Sequence, residues 1–413
     1  MRKINVLTIL IVILSLNSAC TNLTKDNTQE EQEEKVEEFS TEPTDFNPHA
    51  TEGLLTRNTK NVTRLNSSDK TEFAVLVSQT VWAATHKENQ PRTVILTVVE
   101  DWQISMASAK LIQHPNNGPI LFIEKDHIPD LTLKEIKRLN PIGNADGTQV
   151  MIMGDVSASI YTELEDYQVE GINSSNPAEF ALLVDDKYAE SSNGVYPNNV
   201  IIVSQEEEAK LYSLPAINWI SNMPEPILFV SKDNIPLETK TALENRNSKA
   251  NIYILGPENI IPTDVEEQLK EYGSVKRISG SDPISNSISF AKYKDEKIMV
   301  GWGAANPGLD LSFVSTKTPE LAKGAASLGK QTPMIFLEDG ELNEDIYTFL
   351  AEVKPVYTKE TTDIASNHAF INGTDEVIPF KSQGIIDEKL AIVFDNEQQE
   401  IISAEEKDDG HGH

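Results

Sequence analysis

The stretch PILF at residues 119–122 recurs as PILF at 226–229 and as PMIF at 333–336, and the spacing is 107 residues both times. The sequence KDHIP at 125–129 returns as KDNIP at 232–236 with the same spacing. A spacing that is preserved through separate blocks indicates an internal repeat, and a period this long is typical of tandem domains rather than a solenoid. The sequence therefore predicts three copies of one domain of about 107 residues.

Each copy alternates short apolar runs with segments of helical periodicity. Short, continuous apolar runs are typical of strands that are buried on both faces, and their alternation with helices predicts a parallel sheet covered by helices. The predicted fold class is therefore α/β, with three tandem flavodoxin-like domains. The predicted strands are residues 93–99, 120–123 and 150–154 in copy one, 199–203, 227–230 and 251–256 in copy two, and 297–300, 334–337, 369–373 and 390–394 in copy three. In copy one, the helical segments are 73–84, 104–112 and 131–139.

The first 20 residues have the layout of an export signal. Arg2 and Lys3 give a basic start, an apolar run fills residues 4–16, and small residues precede Cys20. This run is shorter than the roughly 20 residues that a membrane-spanning helix needs. The segment resembles the lipobox of bacterial lipoproteins, which implies that Cys20 is acylated, becomes the new N-terminus and anchors the chain to a membrane. The alternative is a plain secretory signal with an incidental cysteine.

Both ends of the remaining chain are acidic and lack apolar periodicity. Residues 29–38 read QEEQEEKVEE, a composition that stays extended and solvated. We therefore predict a disordered tether before the repeats and a flexible tail after them. The predicted domains are the signal peptide 1–20, the tether 21–60, the repeats 61–168, 169–275 and 276–395, and the tail 396–413.

The overall composition excludes several classes of partner and site. The chain has 35 Lys+Arg against 65 Asp+Glu, a net charge of −30, so that it would repel the phosphates of nucleic acids and of anionic membrane surfaces. Cys20 is the only cysteine, which excludes a disulfide within the chain and a cysteine-rich metal site.

The motifs of common enzyme classes are missing from the sequence. It contains no Gly-x-Ser-x-Gly elbow, no His-Glu-x-x-His and no Gly-x-x-x-x-Gly-Lys-Ser/Thr loop. We predict a non-enzymatic protein without a cofactor or a bound metal.

The opening pattern and the PIL strand, which is altered in copy three, point to a known type of repeat. Residues 277–282 read RISGSD, residues 64–69 read RLNSSD, and the PIL strand and a strand-ending glycine follow. The pattern resembles the type 2 cell-wall-binding repeat family of Gram-positive surface proteins, over residues 60–395. The resemblance implies that three repeats pack with pseudo-threefold symmetry. It also implies that they attach without covalent bonds to an anionic wall polymer on the outer face of the cell. In the family, the PIL region is implicated in this attachment.

Four basic residues are candidates for contact with such a polymer. Arg64 and Arg277 precede the opening pattern, where a guanidinium could clamp a phosphate or a carboxylate. Structural ion pairs with the following Asp69 and Asp282 are the alternative. Lys125 and Lys232 follow the PILF strands at the sheet end where open α/β sheets place ligands, and loop salt bridges are the alternative there. Gly154 and Gly256 end strands at the same edge and are also candidates for a ligand site. The alternative is that they are tight turns that require a positive φ.

The net charge constrains how an anionic polymer could be held. A chain this acidic would need local Lys/Arg pockets or bridging divalent cations. Three weak sites would add through their effective concentration. Two other functions remain open at this point, namely a solute-binding lipoprotein of a transporter and a protein-interaction scaffold that has lost polymer binding.

Overall fold

The computed structural model describes residues 39–44, 46–304, 307–329, 332–357 and 366–394. The predicted signal peptide with Cys20, residues 21–38 of the tether and the tail from residue 396 lie outside the described residues. Among the residues within these ranges, no helix has the length and apolar character needed to cross a membrane.

Strands and helices alternate along the chain. In chain order the strands are β1 (Val62–Leu65), β2 (Val94–Val98), β3 (Ile120–Ile123), β4 (Val150–Met153), β5 (Val169–Ile172), β6 (Asn199–Ser204), β7 (Ile227–Val230), β8 (Ala250–Leu255), β9 (Gly273–Ile278), β10 (Leu311–Ser315), β11 (Met334–Leu337), β12 (Val356–Tyr357), β13 (Ala369–Asn372) and β14 (Val393–Phe394). The helices are α1 (Lys70–Val81), α2 (Trp102–Ser108), α3 (Asp130–Leu139), α4 (Ala158–Glu163), α5 (Pro177–Ser191), α6 (Lys210–Ser213), α7 (Ile217–Ile220), α8 (Leu237–Glu244), α9 (Thr263–Leu269), α10 (Pro283–Lys292), α11 (Leu321–Ala325), α12 (Glu344–Glu352) and α13 (Phe380–Leu390).

The strands form three four-stranded parallel sheets, which confirms the predicted fold class. The first sheet has the order β3-β2-β4-β5, the second β7-β6-β8-β9 and the third β11-β10-β13-β1. All residues of β2, β3 and β4 are buried, because helices cover both faces of the sheet. The register places Leu96 beside Leu121 on one side and Ile152 on the other. We call the three sheets with their helices units 1, 2 and 3.

The PILF side chains are part of this core. Ile120, Leu121 and Phe122 are at most 1% exposed, and the equivalent residues of β7 and β11 are buried too. The recurrence of this stretch is therefore explained by packing in the sheet. A ligand could touch only its flanks.

The predicted first strand of copy three, residues 297–300, is wrong. Those residues form a turn, in which Met299 has φ 58° and only Val300 makes an isolated bridge, to Asp295. The strand is β10, whose Ser312 and Ser315 are fully buried. Ser312 is satisfied there because its Oγ accepts a hydrogen bond from Asn372 Nδ2 at 2.9 Å. The predicted strand at 390–394 is also shorter than expected, since α13 extends to Leu390 and β14 pairs only with β12.

The first helix of each unit begins at a side-chain cap in the recurring opening pattern. Asp69 accepts a hydrogen bond from the backbone N–H of Glu72, and Asn176 and Asp282 cap α5 and α10 in the same way. Such caps satisfy N–H groups that have no partner within the helix. The opening pattern is therefore a helix-starting signal.

The sheets are offset from the sequence repeats by one strand. β5 and β9 are the last strands of units 1 and 2, and each leads directly into the first helix of the next unit. Unit 3 has the same last strand, but it comes from the other end of the chain: β1 pairs with β13, with Val62 beside Ala369 and Leu65 beside Asn372. The N-terminal strand therefore completes the C-terminal sheet, and the chain closes into a ring.

The junctions between the units repeat around this ring. Helix α2 packs on α5, α6 on α10, and α11 on α1, so that each unit contacts the first helix of the next one. Three hydrogen bonds cross the junctions between 107-related segments: Lys110 Nζ to Met223 O at 3.3 Å, Asn218 Nδ2 to Thr332 O at 2.8 Å, and Ile120 N to Ser327 Oγ at 3.1 Å. These cyclic contacts give the molecule a pseudo-threefold arrangement.

Residues of the predicted tether contact unit 3. Lys381 Nζ lies 2.8 Å from Glu42 Oε1, and Arg57 Nη1 lies 2.7 Å from Asp375 Oδ2. The backbone N–H of Asn61 donates to Asp387 Oδ1 at 2.6 Å. The described residues before β1 therefore lie against the third unit.

Candidate functional site

The carboxyl edge of each sheet carries an exposed lysine beside a carboxylate. The lysine side chains are 54–64% exposed, so these pairs contribute at most about 1 kcal/mol each and leave the ammonium groups accessible. Lys125 and Lys232 follow β3 and β7, as the repeat implies, and Lys317 after β10 is a third lysine at this edge. The pairs are Lys125–Asp101 at 3.5 Å, Lys232–Glu208 at 3.9 Å and Lys317–Asp339 at 3.6 Å.

Arg64 on β1 is buried, and each of its three side-chain nitrogens donates a hydrogen bond. It is 5% exposed, and its three donor nitrogens bind Gln383 Oε1 at 2.7 Å, Gly373 O at 2.9 Å and Ile378 O at 2.8 Å. Burial lowers the pKa of the guanidinium to about 10. The side chain thus ties β1 to the turn after β13, and a polymer would have to displace these contacts to reach it.

Arg277 on β9 makes the same clamp in unit 2. Its guanidinium donates to Gly256 O at 2.7 Å and to Ile261 O at 2.8 Å, and it binds Glu266 Oε2 at 2.7 Å. The expected ion-pair partners of the two arginines, Asp69 and Asp282, are helix caps instead. The arginine before the opening pattern therefore holds the last strand of a sheet to the glycine turn of its neighbour.

Unit 1 has replaced this clamp. Gly171 on β5 stands near the position that Arg64 and Arg277 occupy on their strands, and a Cβ added there would lie 2.3 Å from the Tyr161 hydroxyl. The Tyr161 side chain fills the space that the arginine takes in the other units. The strand-end turn itself is kept, because Gly154, Gly256 and Gly373 have φ of 99°, 127° and 125°. A non-glycine residue would be strained there, which supports the turn interpretation of these glycines.

The junction of units 1 and 2 contains a buried lysine. Lys110 is 2% exposed, and its Nζ lies 3.1 Å from the centre of the Tyr188 ring. Burial lowers the pKa of Lys110 to about 7, although the charges of Glu225 and Asp185 act in the opposite direction. The ammonium is therefore a structural group of this junction and is closed to a ligand.

The tryptophans lie at the junctions rather than on an outer surface. Trp102 and Trp219 are both 2% exposed, and their Nε1 atoms donate to Glu207 and Glu225. Trp302 is half-buried and packs edge-on against Trp219, with ring centres 4.8 Å apart. Stacking of sugars on these three rings is closed off by protein contacts.

A pocket of about 400 Å³ lies where unit 3 meets unit 1. It is lined by Trp82, Gln113 and Asn117 of unit 1, Asn222 of unit 2 and Leu328 of unit 3, among others. The repeat pattern does not predict this pocket; the one local signal is that residues 111–120 contain no charged side chain in a chain that is 24% charged. Among the described residues, no three His, Cys, Asp or Glu side chains converge in a way that could hold a metal ion.

Two curated proteins of Bacillus subtilis (strain 168) are similar to this chain in sequence. An amidase enhancer is 36% identical over 104 residues, which cover 25% of this chain and 14% of the relative. The N-acetylmuramoyl-L-alanine amidase LytC is 26% identical over 184 residues, which cover 44% of this chain and 34% of the relative. The chain thus matches only 14% and 34% of the length of these two relatives. A search of protein-family models found no match.

Two solved structures share the arrangement of the three units. Cwp6 from Clostridium difficile superposes with a TM-score of 0.64 at 18% identity, over 85% of this chain and 51% of that chain. Cwp8 from Clostridium difficile superposes with a TM-score of 0.61 at 19% identity, over 80% of this chain and 52% of that chain. At these identities the likeness concerns the fold, and it covers 80–85% of this chain and about half of each of the two neighbours.

Proposed function

We propose that this chain is a non-enzymatic cell-surface protein whose three cell-wall-binding-type units associate with a wall polymer. The observation that carries the proposal is the combination of the two likenesses. In fold, 85% of this chain superposes on 51% of Cwp6, and part of the chain is similar in sequence to an amidase enhancer and to an N-acetylmuramoyl-L-alanine amidase. The part shared with those two relatives is a small fraction of their length, as expected of a common wall-directed module.

The non-enzymatic part of the proposal rests on the chemistry of the side chains. The amidase activity in the name of LytC cannot be carried over from a match that covers 34% of its length. The arginines that stand out in the repeats are held by backbone carbonyls, and the exposed lysines at the carboxyl edges face single carboxylates. These arrangements suit structure and weak contacts with a polymer better than proton transfer or nucleophilic attack.

The exposed edge lysines are the most accessible of the four candidate polymer contacts. Lys125 and Lys232 keep more than half of their side-chain surface, whereas Arg64 and Arg277 are used inside the sheets. Because each lysine lies beside a carboxylate, a divalent cation shared between that carboxylate and a polymer phosphate could strengthen the contact. Three such edges on one ring would add their weak affinities through effective concentration.

A sedimentation assay with purified cell wall tests this proposal. We expect the chain from residue 21 onwards to co-sediment with the wall, and to be released in part by a chelator or by salt, since the contacts are electrostatic. Replacing Lys125 and Lys232 together by alanine should weaken retention about three- to tenfold, because each accessible contact is weak. Lys137→Ala with Lys249→Ala is the matched control, since it removes two exposed lysines from the opposite edge.

The outcome separates polymer binding from the alternative functions. If the chain stays in the supernatant under every condition, the polymer proposal is wrong, and a protein-interaction scaffold becomes the better interpretation. If both double variants lose retention equally, binding depends on total charge and the assignment of the carboxyl edges is wrong.

We further propose that Cys20 carries a lipid that holds the protein on the outer face of the cell membrane. The support is the sequence of residues 1–20, with the only cysteine of the chain at the cleavage position. Several acyl chains on one cysteine would give stable attachment, whereas a single chain would be marginal. The 40 residues from 21 to 60 would then link the membrane to the ring.

Labelling in cells with an alkyne-tagged fatty acid tests the anchor. We expect the wild-type protein to incorporate the label and to sediment with membranes, and Cys20→Ser to lose both properties, because serine cannot form the thioether. Ser15→Ala, in the same segment, should behave like the wild type. Equal labelling of wild type and Cys20→Ser would show that the cysteine is not the attachment point.

A further inference from the structure

The pocket at the junction of units 3 and 1 differs from its counterparts around the ring. At the junction of units 1 and 2, His114 packs against Tyr188 with ring centres 5.3 Å apart. At the junction of units 2 and 3, Trp219 packs against Trp302. The residue that lies 214 positions after His114 is Leu328, and with it the third junction leaves a pocket of about 400 Å³. Among the described residues, no such aromatic pair closes the third junction.

The described residues that line this pocket are uncharged. They comprise apolar side chains, the indole of Trp82, a serine hydroxyl and five carboxamides. In a chain with 65 acidic and 35 basic residues, it is unusual that none of the described lining residues is charged. The volume and the mixture of apolar walls with a few polar groups are those of small-molecule sites in proteins.

Three of the carboxamides have free hydrogen-bonding groups. The side chains of Gln90, Gln113 and Asn117 make no hydrogen bond to any other residue that the structure describes. Each carboxamide offers two N–H donors and one carbonyl acceptor, which is the complement of an acetamido group and of neighbouring hydroxyls. The apolar surfaces of Trp82, Ile112 and Leu328 suit the C–H face of a pyranose ring or an acetamido methyl group.

We infer that this pocket is a single binding site for a neutral N-acetylated amino sugar. The inference rests on the proposed function, since it names a wall-glycan component as the ligand of the ring. It also removes a difficulty of that proposal, because an uncharged ligand does not have to approach against a net charge of −30. It differs from three equivalent anion sites in two measurable ways, namely the stoichiometry and the dependence on salt.

Calorimetric titration of the chain from residue 21 onwards with N,N′,N″-triacetylchitotriose tests the inference. We expect one molecule bound per chain, with an affinity that changes less than about twofold between 50 mM and 500 mM salt, because the contacts involve no ions. Indole fluorescence should shift on binding, since Trp82 lines the pocket. Asn117→Gly should weaken binding about tenfold, because it removes one carboxamide with its hydrogen bonds.

The control variant is Asn193→Gly. Asn117 and Asn193 are both exposed and both have a left-handed backbone, with φ of 39° and 58°, so glycine is accommodated at either position. Asn193 lies outside the pocket, and its replacement should leave the titration unchanged. A second variant, Gln113→Ala, should weaken binding to a similar degree as Asn117→Gly.

The possible results distinguish this inference from the proposed function. Absence of binding, a stoichiometry of three, or equal effects of Asn117→Gly and Asn193→Gly would overturn the inference. If the chain is retained on cell wall but does not bind the sugar, the proposed function stands and the ligand of the pocket is wrong. If the sugar binds with the expected pattern but the wall does not retain the chain, the pocket stands and wall association is wrong. Binding of this neutral sugar that disappears with salt would show that ionic groups take part in the contact, and it would also overturn the inference.

Discussion

Replacing Arg64 by methionine should lower the free energy of unfolding of unit 3 by about 2–4 kcal/mol. Methionine fills part of the volume but cannot donate a hydrogen bond. The carbonyl oxygens of Gly373 and Ile378 and the amide oxygen of Gln383 would then be left without their buried donors. Each unpaired buried acceptor costs about 1–3 kcal/mol, part of which is recovered when water enters or the turn relaxes. The measurement is urea denaturation, followed by hydrogen exchange of residues in the third sheet.

Arg57→Met is the matched control for this variant. Arg57 is the same residue type and precedes Arg64 by seven positions, but its side chain is 42% exposed and, among the described residues, bonds only to the half-exposed Asp375. Loss of such a surface ion pair should cost less than about 1 kcal/mol. If Arg64→Met unfolds with the same midpoint as Arg57→Met, the clamp contributes nothing to stability. The guanidinium would then again be a candidate for a ligand contact.

The fold could be predicted because both the repeat and the buried strands produce patterns that are visible in short stretches of sequence. Strands such as β2 and β3 are continuous apolar runs, since both faces of their sheet are covered. β10 escaped prediction because its buried Ser312 and Ser315 interrupt the apolar run. The strand was predicted at residues 297–300 instead, because they are more apolar. Their neighbour Gly301 has φ of 104° and turns the chain there.

The roles of the basic residues could not be predicted from their positions in the repeat. A guanidinium that clamps two carbonyls and one that clamps a phosphate use the same donors, so the pattern before Asp69 and Asp282 suits either. The role of each arginine is determined by its burial and by its hydrogen-bond partners. Both depend on segments that are far away along the chain. Gln383, for instance, lies 319 residues after Arg64. The pocket carboxamides were missed for the same reason, because units 1, 2 and 3 all contribute to its lining.

Removal of β1 should open the ring and destabilise unit 3 more than any single substitution. A chain that begins at residue 67 lacks Val62 and Leu65, which are 0% and 4% exposed, and it also lacks the Arg64 clamp. Burial of two such apolar side chains contributes about 3–6 kcal/mol, to which the hydrogen bonds of β1 add. The backbone N–H groups of Ala369 and Gly373, which donate to Asn61 O and Leu65 O, should lose their protection from hydrogen exchange. Amides of β8 in unit 2 should remain protected, because that sheet keeps all four strands.

A chain that begins at residue 47 is the control, since it keeps β1 and the contacts of Arg57 and Asn61. The shorter chain should also aggregate. Without β1, β13 becomes an edge strand whose outer backbone groups are unpaired. A synthetic peptide of residues 57–67 added in excess should restore the protection at Ala369 and Gly373, whereas the same peptide with Arg64→Met should do so at several-fold higher concentration. Protection that is unchanged by the truncation would show that the third sheet is stable with three strands. The ring would then be held by its helix junctions alone, and the N-terminal strand would have no part in joining the two ends of the chain.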